Sequence, residues 1–320
     1  MLAFAFRRLL QAGLILLLVT FISFVIMNLA PGNALQTFID PRIPPEQIAR
    51  AERSLGLDRP IAVQYVSWLG AVASGNLGYS IRSGERVLTL IAGRLVPTLS
   101  LMGTAFVLMF VLALIIGTVS AARPYSFTDY AATLVAFAGI SIPSFFLALT
   151  LIYVFAVQLG WLPTSGLQNY QMPLEGWSLF LNRLRHLILP ALVLTLTGVA
   201  ELVRHVRSAV SESLAQDYVR TARGKGISEQ RVLLSHALRN SWLPIISLLG
   251  VALPRFFSGS VVVEVIFAWP GMGRLLVDAV FARDYPVAMG INLFAAILVL
   301  LGSLLADSLY ALADPRIRYA

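Results

Sequence analysis

The sequence lacks cysteine altogether and contains little charge. The absence of cysteine excludes disulfides, iron–sulfur clusters and thiolate metal sites. Charged residues make up 12% of the 320 positions, against roughly 25% in a soluble domain. Because so few charges cannot cover a water-facing surface of this size, much of the hydrophobic 58% must face lipid. The class of soluble enzymes is therefore excluded.

Lysine is also nearly absent, since Lys225 is the only one, and arginine supplies the rest of a net charge of +8. A net positive charge can indicate a nucleic-acid partner, but the sequence contains no nucleic-acid-binding motif. Membrane proteins carry an excess of basic residues in their cytoplasmic loops, and this excess explains the positive net charge better. We therefore expect membrane lipid, and not nucleic acid, around this chain.

Long apolar runs predict an all-α integral membrane protein with about six transmembrane helices in one domain, residues 1–320. A spanning helix needs about 20 residues. The predicted spans are residues 9–30, 95–122, 130–159, 187–203, 241–263 and 286–306. The first run is too long for the apolar core of a signal peptide, so we interpret it as an uncleaved helix.

Basic residues are distributed asymmetrically about these spans. With six crossings both termini lie on one side, together with the arginine-rich segment 204–240. The positive-inside rule makes that side cytoplasmic. The long segment 31–94 then lies outside, where we predict helices over Pro45–Leu55 and from Pro60 to about Ala73.

The cytoplasmic segment predicts two short amphipathic helices joined by a glycine. Val210, Leu214 and Tyr218 recur at every fourth position and form one apolar stripe. Gly226 can end the first helix, since glycine tolerates positive φ, and Ser228 can cap the second. A helix resting on anionic lipid and a docking element for a cytoplasmic partner both fit this pattern.

Groups for catalysis or metal binding are not arranged as such sites require. His186, His205 and His236 are not spaced as ligands, and no membrane run holds a carboxylate pair or a Ser/His/Asp set. The segment "ARGKGIS" is similar to a phosphate loop, but Val219 replaces a required glycine and Gly226 replaces the Ser or Thr that would hold magnesium. We predict a non-catalytic chain with no catalytic residues, no metal site and no cofactor of its own.

Several segments resemble those of a known transporter family. They are "QDYVRTARGKGISEQRVLLSHALRNSWLP" (216–244), "VVVEVIFAWPGMGRLLVDAVFARDYPV" (261–287) and "DPRIRY" (314–319). The first resembles the cytoplasmic EAA loop of ATP-binding-cassette (ABC) importer permeases. The whole chain resembles the B-type permease subunit of dipeptide, oligopeptide and nickel importers. The resemblance implies the type I ABC importer permease architecture, in the bacterial cytoplasmic (inner) membrane.

The resemblance also implies partners. They are a second, C-type permease subunit, two ATP-binding subunits that hold ATP and magnesium, and an extracytoplasmic substrate-binding protein. The substrate implied is a di- or oligopeptide, with nickel or a metal chelate as the alternative. An ion-coupled secondary carrier is a further alternative, but it would need intramembrane ionisable groups and usually an inverted repeat.

Candidate site residues follow from the same segments. By resemblance the coupling loop to the ATPase comprises Arg220, Thr221, Ala222, Arg223, Lys225 and Gly226. Trp269, Pro270 and Gly271 are expected to form an outer gate loop. Arg255 is a charge inside the fifth run, for which three interpretations stay open: snorkelling to the outer surface, a contact with another subunit or a carbonyl, and a place in the aqueous translocation pathway.

Overall fold

The computed structural model describes residues 2–29, 58–242, 244–245 and 260–313. Within these ranges the protein is helical, and its β-structure is limited to an isolated antiparallel bridge between Tyr79 and Arg86. The predicted all-α fold is therefore confirmed. Arg255, the predicted helix Pro45–Leu55 and the segment 314–319 lie outside the described residues, as does most of the fifth predicted span.

The described residues form the following helices, in chain order. They are α1 (Leu2–Leu29), α2 (Ile61–Ala73), α3 (Val87–Ala122), α4 (Phe127–Ser141), α5 (Ser144–Leu151), α6 (Gly176–Leu214), α7 (Asp217–Gly224), α8 (Glu229–Arg231), α9 (Met272–Phe281) and α10 (Tyr285–Ala313). α5 continues as a π-helix over Ile152–Gln158, and α8 continues as a π-helix over Val232–Ala237. α2 begins after Pro60, in the segment predicted to lie outside, where the sequence predicts a helix.

Four helices in the described ranges are long and apolar enough to cross a membrane: α1, α3, α6 and α10. They correspond to the first, second, fourth and sixth predicted spans. The third predicted span is broken at Ile142 and Pro143, between α4 and α5. Proline lacks a backbone N–H and disfavours the helical conformation in the residue before it, so Pro143 favours a break at this position. The total of six spans stays a prediction.

α6 extends beyond both bounds of its predicted span, 187–203. It begins at Gly176 and continues to Leu214, through the charged residues that the sequence assigns to a loop. Pro190 lies inside it without ending it. At 1.5 Å per residue the helix is about 58 Å long, well beyond the roughly 30 Å hydrocarbon core of a bilayer. A helix of this length cannot lie wholly within the hydrocarbon core, so at least one of its ends extends beyond it.

The contacts divide the chain into two compact units, Met1–Pro97 with Pro270–Leu300 and Thr98–Trp269 with Leu301–Ala320. In the first unit, Val87 and Ile91 of α3 pack against buried residues of α9 and α10. A Cβ at Gly290 would lie 2.5 Å from Cγ1 of Val87, so glycine permits this close approach of α3 and α10. Tyr65 of α2 donates a hydrogen bond to the carbonyl of Leu17 in α1.

The second unit is organised around the buried face of α6. Leu189 and Val193 pack with Leu101 and Ala105 of α3, and further along α6 a second apolar cluster surrounds Val206 and Val210. Glycine again allows close contact. A Cβ at Gly117 would lie 2.8 Å from Val206, and one at Gly139 would lie 2.7 Å from a backbone oxygen of α6. α6 is thus held on one side by α3 and α4, and its end carries the candidate site.

Candidate coupling elbow

We call residues Asp217–Ala237 the coupling elbow, which comprises α7, α8, the residues that join them and the π-helix that follows α8. α7 ends at Gly224, and Gly226 has φ +74°. The N–H of Gly226 donates to the carbonyl of Arg223 at 2.9 Å, and the N–H of Ile227 donates to that of Ala222 at 3.3 Å. This pair of bonds is the Schellman motif, which requires a left-handed residue at the glycine position. The predicted conformation of Gly226 is therefore confirmed.

A small apolar core fixes the angle of the elbow. Val219, Ala222 and Val232 are buried together, and Ile227 packs against them. Val219 and Ala222 belong to α7, whereas Val232 opens the π-helix after α8. Because Ile227 follows the glycine directly, its side chain supplies the apolar contact that usually accompanies a Schellman motif. The two short helices are thus one packed body.

A charged pair spans the outside of the elbow. Arg223 Nε donates to Glu229 Oε1 at 2.8 Å, and Arg223 Nη2 donates to Glu229 Oε2 at 3.1 Å. The hydrogen bond from Arg223 lowers the pKa of the Glu229 carboxyl, and the same bond raises the pKa of Arg223. Both side chains are exposed, so water and salt screen their attraction. The Arg223–Glu229 pair therefore orients α7 and α8 relative to each other more than it stabilises the fold.

Ser228 occupies the predicted N-cap position of α8, but its side chain makes no capping hydrogen bond. Its backbone carbonyl accepts from the N–H of Val232 at 2.9 Å. The helix after α8 is wound as a π-helix over Val232–Ala237. π-helices shift the backbone hydrogen bonds by one residue and so can leave carbonyls available to side chains.

A network of hydroxyl groups connects the elbow to the end of α6. Ser213 donates to the carbonyl of Ala237 at 2.9 Å, and Ser241 donates to the same carbonyl at 2.8 Å. Ser213 Oγ is also hydrogen bonded to the hydroxyl of Tyr218. Because Ser213 gives its single proton to Ala237, Tyr218 must be the donor in that bond. The network joins α6, α7 and the π-helix through one buried serine.

A second polar contact anchors the same part of α6 to α4. Arg207 Nε donates to Asp129 Oδ1 at 2.7 Å, and Arg207 Nη2 donates to Asp129 Oδ2 at 2.8 Å. Ser120 of α3 and the N–H of Tyr125 also donate to this carboxylate. The Arg207 guanidinium holds the pKa of Asp129 well below its usual range. Asp129 is therefore ionised throughout the physiological pH range.

Comparison with known proteins gives the family. Residues 113–319 match the family described as binding-protein-dependent transport system inner membrane component, and residues 1–102 match the family of its N-terminal region. The chain belongs to this family. It is therefore the non-catalytic transmembrane permease subunit of an ABC importer.

Individual relatives agree with this assignment. The permease is 46% identical to the oligopeptide transport system permease protein AppB of Bacillus subtilis over 320 residues, which is 100% of both chains. It is 39% identical to the di/tripeptide transport system permease protein DppB of Pseudomonas aeruginosa over 316 residues, 94% of each chain. Among solved structures, the methionine ABC transporter MetNI matches with a TM-score of 0.57 at 17% identity, covering 71% of the permease and 97% of that chain. This last likeness shows a shared fold.

The residues that the sequence assigns to the coupling loop divide into two groups in the permease. Arg220, Thr221, Arg223 and Lys225 are exposed, whereas Ala222 is buried in the core of the elbow. Arg220 Nη1 lies 3.6 Å from Asp217 Oδ1, one turn away. The exposed face of the elbow is thus mainly basic. The contact of these residues with an ATPase stays a prediction.

The residues of the predicted outer gate loop are mostly enclosed. Phe267 and Trp269 are each 1% exposed, so they are not part of an exposed belt of aromatic side chains at the membrane interface. The N–H of Trp269 donates to the carbonyl of Glu264, and the carbonyl of Phe267 accepts from Gly166. Gly271 is the N-cap residue of α9. The burial and the backbone hydrogen bonds of this segment fit a gate loop, but its role as a gate stays a prediction.

Three residues hold the coupling elbow and the end of α6 in place, and the sequence analysis did not single them out. Asp129 and Arg207 form the bidentate pair, and Ser213 is the centre of the hydroxyl network. One sequence signal was available, because Arg207 and Ser213 fall within the polar end of a strongly amphipathic helix. Their partners, however, come from other helices and cannot be found from spacing along α6.

Proposed function

We propose that this permease carries short peptides inward across the bacterial cytoplasmic membrane, and that the coupling elbow is where its ATPase partners act. The complex would contain a second permease subunit, two ATP-binding subunits with ATP and magnesium, and an extracytoplasmic binding protein. Both termini and the elbow would lie in the cytoplasm, with residues 31–94 outside. The names of the relatives in Bacillus subtilis and Pseudomonas aeruginosa support the peptide substrate.

The observation that carries this proposal is the construction of the elbow. A surface helix that only rests on lipid needs no internal packing, because its apolar face inserts into the bilayer. Here the apolar residues Val219, Ala222 and Val232 are buried against each other. The outward face instead presents Arg220, Arg223 and other polar groups. This arrangement suits a rigid docking element for an acidic groove on a protein partner.

Mechanically, the elbow and α6 would move together. The Schellman motif and the Tyr218–Ser213–Ala237 network leave little freedom between them. A displacement of the elbow by closing ATPase subunits would therefore change the tilt of α6. The pore would alternate between two states, and ATP binding on the partners would bias their populations. Trp269 to Gly271 would close the outer end, and Arg255 would line the pathway.

Reconstitution tests this function. Proteoliposomes containing both permease subunits and both ATPases, with the binding protein outside, should accumulate radiolabelled trialanine only when ATP is enclosed. Accumulation of labelled nickel and not of trialanine would support the metal alternative. Uptake that needs a proton or sodium gradient and continues without ATP would support the ion-coupled carrier.

A further inference from the structure

A cleft whose walls carry both apolar and charged side chains lies between α6 and the break at Ile142–Pro143. Its volume is 590 Å³, and its walls include Ser144 at the start of α5 and Thr197, Glu201 and Arg204 of α6. Sites for small ligands in proteins usually measure about 300–1,000 Å³. The cleft is therefore large enough for a small molecule, and it is separate from the coupling elbow.

The position of the break indicates that the cleft meets water. The helical segment from α4 through the π-helix covers residues 127–158, and the break falls near its middle, with about 22 Å of helix on either side. Irregular backbone at membrane depth occurs only where it is buried in protein or lines a water-filled cavity. Within this chain Ile142 and Pro143 are exposed. An aqueous pathway and the surface of the second permease subunit both satisfy these observations, and the charges in the cleft favour the pathway.

The charges in the cleft have both signs. Glu201 and Arg204 are three positions apart on α6, which places them on one face of the helix. Both are exposed, whereas Leu202 and Val203 between them are buried in the apolar core. Glu201 Oε1 also lies 3.9 Å from Nε2 of His205. Ionisable groups within a membrane protein usually face a water-filled cavity and mark substrate or ion pathways.

We propose that this cleft is a transit site for the two charged ends of a short peptide. The Glu201 carboxylate would accept hydrogen bonds from the terminal ammonium group, and the Arg204 guanidinium would bind the terminal carboxylate with two parallel hydrogen bonds. The hydroxyls of Ser144 and Thr197 would bind the peptide backbone between them. This inference rests on the proposed peptide substrate and adds where in the permease the peptide is held.

Thiol labelling tests the location without depending on transport. The natural chain has no cysteine, so Ser144→Cys gives this subunit one thiol, which lies in the wall of the cleft. Phe146→Cys is the control, because Phe146 is exposed at the start of α5 but is not part of the cleft wall, which includes the half-buried Ser144. An impermeant methanethiosulfonate reagent on the cytoplasmic side should label Ser144→Cys at least about tenfold faster, since thiolates form in water and not in lipid. Equal labelling of both variants, or none of Ser144→Cys in any nucleotide state, overturns the proposal.

Uptake measurements test the charges. Glu201→Gln should lower trialanine uptake by about tenfold, the effect of losing one charge-assisted hydrogen bond. Stimulation of the ATPase by the loaded binding protein should persist, whereas a packing defect would lower both. Glu212→Gln, an exposed carboxylate on the same helix outside the cleft, should change uptake by less than about twofold.

The failure of this inference is distinguishable from the failure of the proposed function. If the wild-type importer carries no trialanine, the peptide function itself is wrong. If the wild type carries trialanine and Glu201→Gln carries it equally well, the function stands and the transit site is wrong. A parallel loss of uptake and stimulated ATPase in Glu201→Gln, with normal amounts of complex, would also overturn the transit site in favour of a structural role.

Discussion

Arg207 of α6 and Asp129 of α4 lie 78 positions apart in the sequence and are joined by two parallel hydrogen bonds of 2.7 and 2.8 Å. The carboxylate is 95% enclosed, while the arginine side chain is 37% exposed. A guanidinium and a carboxylate bonded in this way have a fixed relative orientation as well as an attraction. The pair therefore sets how α4 packs on the part of α6 that leads to the elbow.

Removal of the carboxylate should destabilise the protein measurably. Asp129→Asn leaves Arg207 without its ionic partner, and breaking a fully buried pair costs about 3–5 kcal/mol. Because Arg207 retains some exposure, we expect about 2 kcal/mol. Thermal unfolding in detergent, followed by tryptophan fluorescence, measures this loss. Asp217→Asn, which removes a carboxylate from an exposed arginine pair, should leave the unfolding temperature unchanged. Equal shifts in both variants would contradict the role of burial.

The same pair predicts a pH dependence. The pKa of Asp129 is lowered in the folded state, so its contribution is fully present above the unfolded pKa of about 3.9 and is lost as pH falls towards the folded value. The difference in unfolding temperature between wild type and Asp129→Asn should thus be constant from about pH 5 to 8 and shrink below about pH 4. A difference that shrinks between pH 8 and 5 would contradict this assignment.

Gly226→Val should uncouple the importer while leaving insertion intact. A Cβ at Gly226 would meet open space, so the cost comes from the positive φ alone, about 1–3 kcal/mol for a non-glycine residue. We expect at least about a tenfold loss of uptake and of binding-protein-stimulated ATPase activity. Gly226→Asn should retain most activity, because asparagine tolerates the left-handed region. Gly224→Val tests the side chain itself, since Gly224 is helical and also faces open space.

Ser213→Ala should loosen the elbow. It removes the donor to Ala237 and the acceptor for Tyr218, a change worth about 1 kcal/mol in unfolding free energy. Hydrogen exchange of the amides in residues 217–237 should become faster. Ser208→Ala is the control, because Ser208 is exposed on the same helix. Unchanged exchange in Ser213→Ala would show that the elbow does not depend on the network.

Labelling of single cysteines tests the orientation in the membrane. An impermeant thiol reagent added outside intact cells should modify Ser54→Cys, in the segment predicted to lie outside, and should not modify Ser228→Cys in the elbow. The reason is the excess of arginine in segment 204–240. Modification of Ser228→Cys in intact cells would reverse the proposed topology.

Local features of the site were predictable from the sequence because they depend on nearby residues. The left-handed Gly226 and the position of Ser228 at a helix start follow from preferences within one turn. The prediction that Val210, Leu214 and Tyr218 form one stripe on a single helix was wrong, because Val210 and Leu214 belong to α6 and Tyr218 belongs to α7. The hydroxyl of Tyr218 is bonded to Ser213, a contact that requires α7 to fold back beside α6.

Features that depend on packing between helices were not predictable from spacing. The fourth predicted span ends at residue 203, between Glu201 and Arg204, but α6 continues to Leu214. The break at Pro143 could not be predicted from the proline alone. Proline also occurs within membrane helices whose neighbours compensate for the lost hydrogen bond. Pro97 and Pro190 lie inside continuous helices in this way. Whether a proline bends or interrupts a helix is decided by the residues packed around it.

The length of α6 determines how far its different parts move when the helix tilts. From Pro190, whose missing N–H makes it a natural pivot, the helix continues for about 36 Å to Leu214. A tilt of about 5° at this proline would displace the elbow by about 3 Å but would move Thr197 by only about 1 Å, since displacement grows with distance from the pivot. If the ATPase partners act on the elbow as proposed, a large displacement there would produce only a small displacement of α6 near Thr197.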